Sequence, residues 1–341
     1  MINQTEIDLI NAANNAIYRP GQRTGHYESY FLRANHPERP LAFWIRYTIF
    51  NPHGHPEKAI GELWAVYFNG ETSSTTAVKK ELNIGQCSFS RSGLDVRIGD
   101  AFLHKDWLKG GATSHNHTIT WDLKYTGDSR AIFPLPLKMY SGNFPKAKLC
   151  VPLPMACFNG TLEIEGNHVK IENWIGSQNH NWGSKHTDLY AWGQVAGFDN
   201  SPDSFLEVAT ARVKLGPVWT PRMTLITLRH KGQEYQLNNV MQTVRAEGRF
   251  TYFDWHFASS DDDVDIRGRM HAPKELFAGL NYYNPPGGSK HCLNSKLASC
   301  DLRITFKKGV AKGVSELLYT GHRAAFEILT DLRDHGISIQ V

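Results

Sequence analysis

Between Glu172 and Gln194 the chain reads ENWIGSQNHNWGSKHTDLYAWGQ, with three Trp, two His, three Asn and two Gln. On an extended strand alternate residues share a face. Gln178, His180 and Trp182 then point one way, and Ser177, Asn179 and Asn181 the other. Tyr190, Trp192 and Gln194 share a face of the next strand. Paired through the turn GSKHTD, the two segments form a hairpin with Gln178, His180, Trp182, Tyr190, Trp192 and Gln194 on one wall. A titratable imidazole, amides and indoles in an apolar cavity could protonate an alkene or polarise a carbonyl. The same groups could instead satisfy one another, with His180 as a hydrogen-bond hub, the indoles as core and Gly176 and Gly183 as bulges.

Other stretches have the same polar and aromatic character. In GHYESYFLRA, His26, Glu28 and Tyr30 lie on one strand face, and in GELWAVYF, Glu62, Trp64, Val66 and Phe68 do. A Glu on an apolar face has a raised pKa and could serve as an acid. Alternatively, Glu28 or Glu62 pairs with Arg33 or Arg46 across the sheet. Late in the chain, residues 281–302 set Tyr282, Tyr283, Asn294 and Lys296 around a Pro-Pro-Gly-Gly turn. The lack of clean periodicity there predicts a loop or barrel lid, where polar groups are often functional. His104, His115 and His117 are close in sequence, and His115-x-His117 would place two imidazoles on one strand face. No Asp, Glu or Cys constellation accompanies them, so no metal site is expected. The motifs GxSxG, GxGxxG and HExxH and Walker-type loops are absent.

These side chains must be positioned mainly by strands. Thr5-x-x-Asp8 resembles a capping box, and Leu9, Ala13 and Ile17 share a face, so a helix is expected over 5–17, stopped by Pro20-Gly21. Aromatic and β-branched runs follow at 26–34, 41–50 and 61–68, with turn clusters between them. Pro134, Pro136, Pro145, Pro152 and Pro154 mark an extended connector over 134–154. The expected domains are therefore 1–154 and 155–341. FNGTLEIEG turning into HVKIENWIG opens the second series of strands, which includes FTYFDWHFAS as one strand and ends in a short strand at ISIQV. Short antiparallel strands joined by tight turns predict an all-β molecule of two closed or nearly closed barrels, because closure removes exposed edges. A barrel of about eight strands is either filled by side chains or holds one small ligand.

Composition bounds the function classes. The 341 residues are 41% hydrophobic and 21% charged, as in soluble globular proteins. A formal charge of +4, with no basic run longer than a pair, argues against a nucleic-acid partner. Five Cys without CxxC spacing fit reduced thiols better than a disulfide framework. No signal peptide and no apolar run of ~20 residues is seen, so a cytoplasmic or membrane-peripheral location is expected. Oligomeric state is not legible.

The early HYESYFLRA strand, the aromatic pair WIRYTIF and GELWAVYF, the proline connector and FNGTLEIEGNHVKIENWIGSQNHNWG together resemble one family. It contains hydroxyneurosporene synthase (carotenoid 1,2-hydratase) and the AttH-like proteins and, more distantly, tocopherol cyclase and the fungal Diels–Alderases. The resemblance spans nearly the whole chain, and the HNWG element (180–183) is its most specific part. It implies two tandem lipocalin-like barrels and chemistry on an apolar isoprenoid- or polyketide-like substrate without a cofactor. The reaction would be an acid-assisted hydration or cyclisation, in the lyase or isomerase class, or a pericyclic closure templated by shape. The family pattern has an acidic residue before the His, where this chain has Asn179. His180, Glu28 or Glu62 would then supply the proton, with Asn179 and Gln178 polarising and Trp182, Tyr190 and Trp192 walling the cavity. The alternatives are a non-catalytic carrier of a hydrophobic small molecule and a pair of barrels filled by their own side chains.

Overall fold

The computed structural model describes residues 4–341, which are mostly antiparallel strands. The first eleven strands are β1 (His26–Asn35), β2 (Leu41–Asn51), β3 (Ile60–Asn69), β4 (Ser74–Asn83), β5 (Cys87–Phe89), β6 (Asp95–Ile98), β7 (Ala101–His104), β8 (Trp107–Ser114), β9 (His117–Thr126), β10 (Ala147–Ile164) and β11 (Asn167–Gly183). They form one sheet in the order β4-β3-β2-β1-β11-β10-β9-β8-β7-β6-β5. It coils until β4 lies against β8 and β9, a nearly closed barrel.

The rest of the chain builds a second sheet. Its strands begin with β12 (Leu189–Phe198) and β13 (Ser201–Arg212), followed by a small ribbon of β14 (Lys214–Leu215) and β15 (Val218–Trp219). Next come β16 (Met223–His230), β17 (Gln233–Leu237), β18 (Glu247–Thr251), β19 (Asp254–Ser260) and β20 (Val264–His271). The last are β21 (Ala278–Tyr283), β22 (Ser289–Phe306) and β23 (Ser315–Thr330). The order is β17-β16-β13-β12-β23-β22-β20-β19-β18, with β21 on β22. No helix among the described residues is long and apolar enough to cross a membrane.

Strand alternation explains the packing. Tyr30, Leu32 and Ala34 of β1 line the first barrel with Phe43, Ile45 and Tyr47 of β2 and Leu63 of β3. Their alternates Phe31, Trp44, Trp64 and Phe68 face the second sheet, where they meet Trp192, Leu280, Tyr282 and Leu329. The runs at 26–35 and 41–51 read as nearly continuous apolar strands because both faces are buried.

Several expectations are corrected. The helix expected over 5–17 ends at Ala12. Beyond it, the carbonyls of Ala13 and Asn14 and the amides of Ile17 and Tyr18 bond to barrel side chains instead of continuing the helix. The expected 178–194 hairpin does not form. Both edges of β11 are occupied, by β1 and β10, so β12 starts the second sheet. Residues 281–302 are not a loop; they belong to β21 and β22, joined by the Pro-Pro-Gly-Gly turn. FTYFDWHFAS is two strands turned at Tyr252-Phe253, and ISIQV makes only an isolated bridge between Ile339 and Gly279. The 154/155 division falls inside β10, and the chain leaves the first sheet between Gly183 and Leu189. Pro152 and Pro154 sit at register shifts of β10, where a missing ladder donor is tolerated. The turn into HVKIENWIG is present as expected, with Glu165 and Gly166 both at positive φ, as a two-residue hairpin requires.

Candidate functional site

The polar side chains singled out in the sequence separate into three places. The first clamps the N-terminal segment. Glu28 accepts from the backbone amides of Ile17 (2.8 Å) and Tyr18 (2.7 Å), from His26 Nε2 (2.9 Å), from His180 Nε2 (2.9 Å) and from the Tyr30 hydroxyl (3.3 Å). His180 Nδ1 bonds the Ala13 carbonyl at 2.8 Å, and its ring stacks on Tyr30 at 4.3 Å. Trp182 closes the other side, 4.7 Å from His180. An imidazole facing two acceptors makes both bonds only when both nitrogens carry protons. Burial would raise the Glu28 carboxyl, but hydrogen bonds from His180 and His26 overcome it and hold the group down to about 2. Gln178 lies nearby, fully buried, with its amide toward the Asn179 carbonyl at 3.4 Å.

The second place lies midway between the sheets. β12 faces the alternates of the residues expected, so Gln194 meets Ser177 and Asn179, and Trp192 meets Phe31, rather than Gln178 and His180. Gln194 donates to Asn179 Oδ1 (2.7 Å) and Glu207 Oε2 (2.9 Å), and accepts from Ser177 (2.6 Å) and Arg33 Nε (2.9 Å). Trp192 Nε1 donates to Glu207 Oε1 at 2.6 Å. Burial lifts the Glu207 carboxyl to about 7 despite these donors. Beside it, Lys296 donates to Glu327 (2.8 Å) and Asn294 (2.5 Å), and burial lowers its pKa. The donors and acceptors here face one another and not a cavity.

The third place is a cleft at the margin of the interface, lined by Tyr27, Arg46, Thr48, Phe50, Glu62, His186, Tyr282 and Tyr283. β1, β2 and β3 supply the first five side chains, the 184–188 crossover supplies His186, and β21 supplies the tyrosines. Arg46 lies over the Tyr282 ring at 4.3 Å, and Tyr27 stacks on His186 at 3.9 Å. Lys79 bridges Glu62 (2.7 Å) and Glu81 (2.5 Å) and covers the faces of Trp64 (4.3 Å) and Tyr283 (4.1 Å). Burial raises the Glu62 carboxyl above its usual range, against the pull of Lys79 and Arg46. Burial also pushes His186 down to about 3, helped by Arg46, so this ring is neutral. Of the lining side chains, Arg46 Nε and Thr48 Oγ1 are buried without a partner. Buried polar atoms are normally paired, so two orphans beside one acid mark a place where something else bonds. The enclosed volume, about 10 Å³, has room for about one water.

Of the residues expected at a site, Glu62, Tyr282 and Tyr283 line this cleft, and Trp64 packs against Tyr282 at 5.7 Å without lining it. Tyr190 lies close enough to Tyr27 and Arg46 for their charges to act on it. His180, Glu28 and Trp182 belong to the clamp, and Asn179, Trp192, Gln194 and Asn294 to the central network. Neither glutamate takes the expected arginine as its hydrogen-bonding partner: Glu28 is held by two histidines, and Glu62 by Lys79. Sequence reasoning missed Tyr27, Thr48 and His186 and gave Arg46 no role in a site, although a lone Arg in the aromatic run WIRYTIF was the available signal. His104 and His117 pair separately, with Asp95 (3.4 Å) and Glu165 (3.1 Å). Among the described residues no three His, Cys, Asp or Glu side chains converge as metal ligands would. All five cysteines are free thiols, with Cys150, Cys292 and Cys300 buried.

No family model matches the chain, and no curated protein does. Solved structures do. Kievitone hydratase from Nectria haematococca superposes with a TM-score of 0.59 at 13% identity, over 94% of each chain. A putative AttH protein from Nitrosomonas europaea gives 0.55 at 11% identity, over 92% of this chain and 98% of that one. CghA gives 0.53 at 11% identity, over 94% of each. The AttH-like resemblance of the sequence is thus met by the arrangement of both sheets, and at these identities the likeness is one of fold.

Proposed function

We propose that the protein is an enzyme that hydrates or cyclises an apolar isoprenoid- or polyketide-like substrate by proton transfer, in the cleft between the two sheets. The observation that carries this reading is Glu62, a buried acid of raised pKa among aromatic rings, with the unpartnered Arg46 Nε and Thr48 Oγ1 in the same cleft. Glu62 gives its proton to a substrate carbon. Arg46 Nε–H holds a carbonyl oxygen, or the rings of Tyr27 and Phe50 screen the developing cation. In a hydration, water placed by Thr48 adds to the neighbouring carbon and its proton returns to Glu62. In a cyclisation, an internal double bond closes on the cation and a carbon-bound proton returns instead. Lys79 keeps Glu62 oriented. The fold shared with a protein named a hydratase supports this class of reaction.

Substrate enters by displacing Tyr282 and Tyr283, because the closed cleft is far smaller than the ~300 Å³ of a ligand pocket. Their turn rests on the first sheet through the His53 amide, which donates to the Pro285 carbonyl at 2.9 Å. The carrier alternative needs a standing apolar cavity. The first barrel is instead packed with its own Phe43, Tyr47, Trp121, Tyr125, Phe158 and Trp174.

The test is to extract any compound that co-purifies, and to incubate the protein with a panel of prenylated enones and polyenes. Products are scored by mass spectrometry for gain of one water or for an isobaric cyclised product. Glu62→Gln is expected to lower turnover about 10²–10⁴-fold while substrate affinity stays within a few-fold. Retention without any product in the wild type would favour the carrier, and full turnover by Glu62→Gln would remove Glu62 from the mechanism.

A further inference from the structure

Between β13 and β16 the chain makes the small ribbon of β14 and β15, which stands outside both large sheets. Lys214 pairs with Trp219 and Leu215 with Val218, so Gly216 and Pro217 form a two-residue tip. Gly216 has a φ of +63°, and a Cβ there would meet nothing within 4 Å, so the tip stands in open solvent. Leu215 and Val218 beside it are 62% and 64% exposed. Neither side chain belongs to the core of either sheet, and apolar groups grouped at a projecting tip mark a contact surface.

The ribbon is also cationic. Trp219 lies between two cations, with Arg212 5.0 Å and Lys214 4.8 Å from its ring, and Arg222 is exposed just before β16. No Asp or Glu occurs between Glu207 and Glu234. Asp188, on the crossover, is already occupied: it accepts from Lys185 at 2.6 Å and from the Lys214 amide at 2.8 Å. Among the described residues, Arg212, Lys214 and Arg222 therefore keep their charges without a carboxylate partner. The β22–β23 turn is the contrast. Val310 there is fully exposed, but Lys308 pairs with Asp263 at 2.9 Å and Lys307 donates to the Asp261 carbonyl at 2.8 Å. The acids at 261–263 offset the charge of that turn, and no acid does so for the ribbon.

We propose that this ribbon docks the protein on an anionic lipid bilayer, with Leu215 and Val218 entering the interface and Arg212, Lys214 and Arg222 meeting the lipid headgroups. Indole rings favour the headgroup level, which is where docking places Trp219. A tip of two short strands is far smaller than the ~800 Å² that a protein partner of standard size covers. A bilayer needs no matching shape, only apolar side chains and positive charge together. The bond from the Lys214 amide to Asp188 ties the ribbon to the crossover that carries His186 into the cleft, so docking holds the cleft near the membrane. An apolar substrate then reaches the cleft from the lipid; that consequence rests on the function proposed above, and the docking does not.

The test is co-sedimentation of the full chain with vesicles of phosphatidylcholine, alone or with roughly 30% phosphatidylserine. The wild type is expected to bind the anionic vesicles at least about tenfold more tightly than the neutral ones, and less tightly as salt is raised. Leu215→Ser with Val218→Ser, and separately Lys214→Gln with Arg222→Gln, are each expected to weaken binding about tenfold. All four positions are exposed, so the fold is retained. Val310→Ser on the β22–β23 turn is expected to leave binding unchanged. Vesicle binding is read without turnover, so it stands or falls apart from the proposed reaction. The proposal is overturned if no vesicle is bound, if neutral vesicles are bound equally well, or if the Leu215 and Val218 variant binds as tightly as the wild type. That last result, with binding lost in the Lys214 and Arg222 variant, would point to an acidic macromolecule as the partner instead.

Discussion

At the residue scale, Glu28 and Glu62 show how one residue type acquires opposite character from its neighbours. Five donors surround Glu28, so its carboxyl is held below the usual range; Glu62 is buried with fewer donors, so its carboxyl is pushed above it. The folded pKa of Glu28 is depressed, so its stabilisation is present above the ordinary value of 4.5 and is lost as pH falls toward about 2. Glu28→Gln is expected to cost about 3–5 kcal/mol in urea unfolding at pH 7, because it leaves His180 and His26 unmatched. The gap between wild type and variant should close as pH is lowered from 4.5 toward 2, and a gap that stays constant would sink the assignment. Glu62 has the reverse sign. As a proton donor it works below its raised pKa, so turnover should fall as pH rises through that value. A pH–rate profile flat through the acid and neutral range would contradict this. Both glutamates stood out in the sequence as lone acids on aromatic strand faces. Which one faces a cleft did not, because the clamp and the cleft are completed by residues more than a hundred positions away.

At the element scale, the approach of β1 to β11 depends on Gly176. A Cβ there would lie 1.8 Å from the Arg33 carbonyl oxygen, so no side chain fits without separating the strands. Gly176→Ala is expected to cost at least about 2 kcal/mol, whereas Gly321→Ala, whose nearest atom is 4.0 Å away, should stay within about 0.5 kcal/mol. Denaturant midpoints of the two variants check the contrast. The strands at 26–35, 41–51 and 60–69 were legible to within a residue or two, because aromatic and β-branched runs between turn clusters carry their own signal. The β10–β11 hairpin was legible for the same reason. Its successor was misread because a short polar link is equally compatible with a hairpin and with a step between sheets. The occupied edges of β11 decide between them, and those edges are filled by β1 and by a strand interrupted by two prolines.

At the scale of the whole molecule, the two sheets share an interface of Phe31, Trp44, Trp64 and Phe68 against Trp192, Leu280, Tyr282 and Leu329. We place the division between the halves at 184–188 rather than 154/155. A fragment of residues 1–183 expressed alone should aggregate, since it exposes that face, and co-expression with 189–341 should restore solubility. Fragments cut at 154/155 should not recombine, because the cut severs β10. Soluble recombination of the second pair and not the first would reverse the assignment. The sequence by itself determined the all-β class, most strands and the alternation of polar and apolar faces, because these depend on neighbours one or two residues apart. It also marked Glu62, Trp64, Tyr282 and Tyr283 as worth watching. Only the tertiary structure decided that Tyr190, Trp192 and Gln194 face the odd-numbered side of β11, that His180 clamps the N-terminal segment, and that Arg46 and His186 join Glu62. Those outcomes turn on which strand edges are already filled and how two curved sheets stack, which no local pattern records.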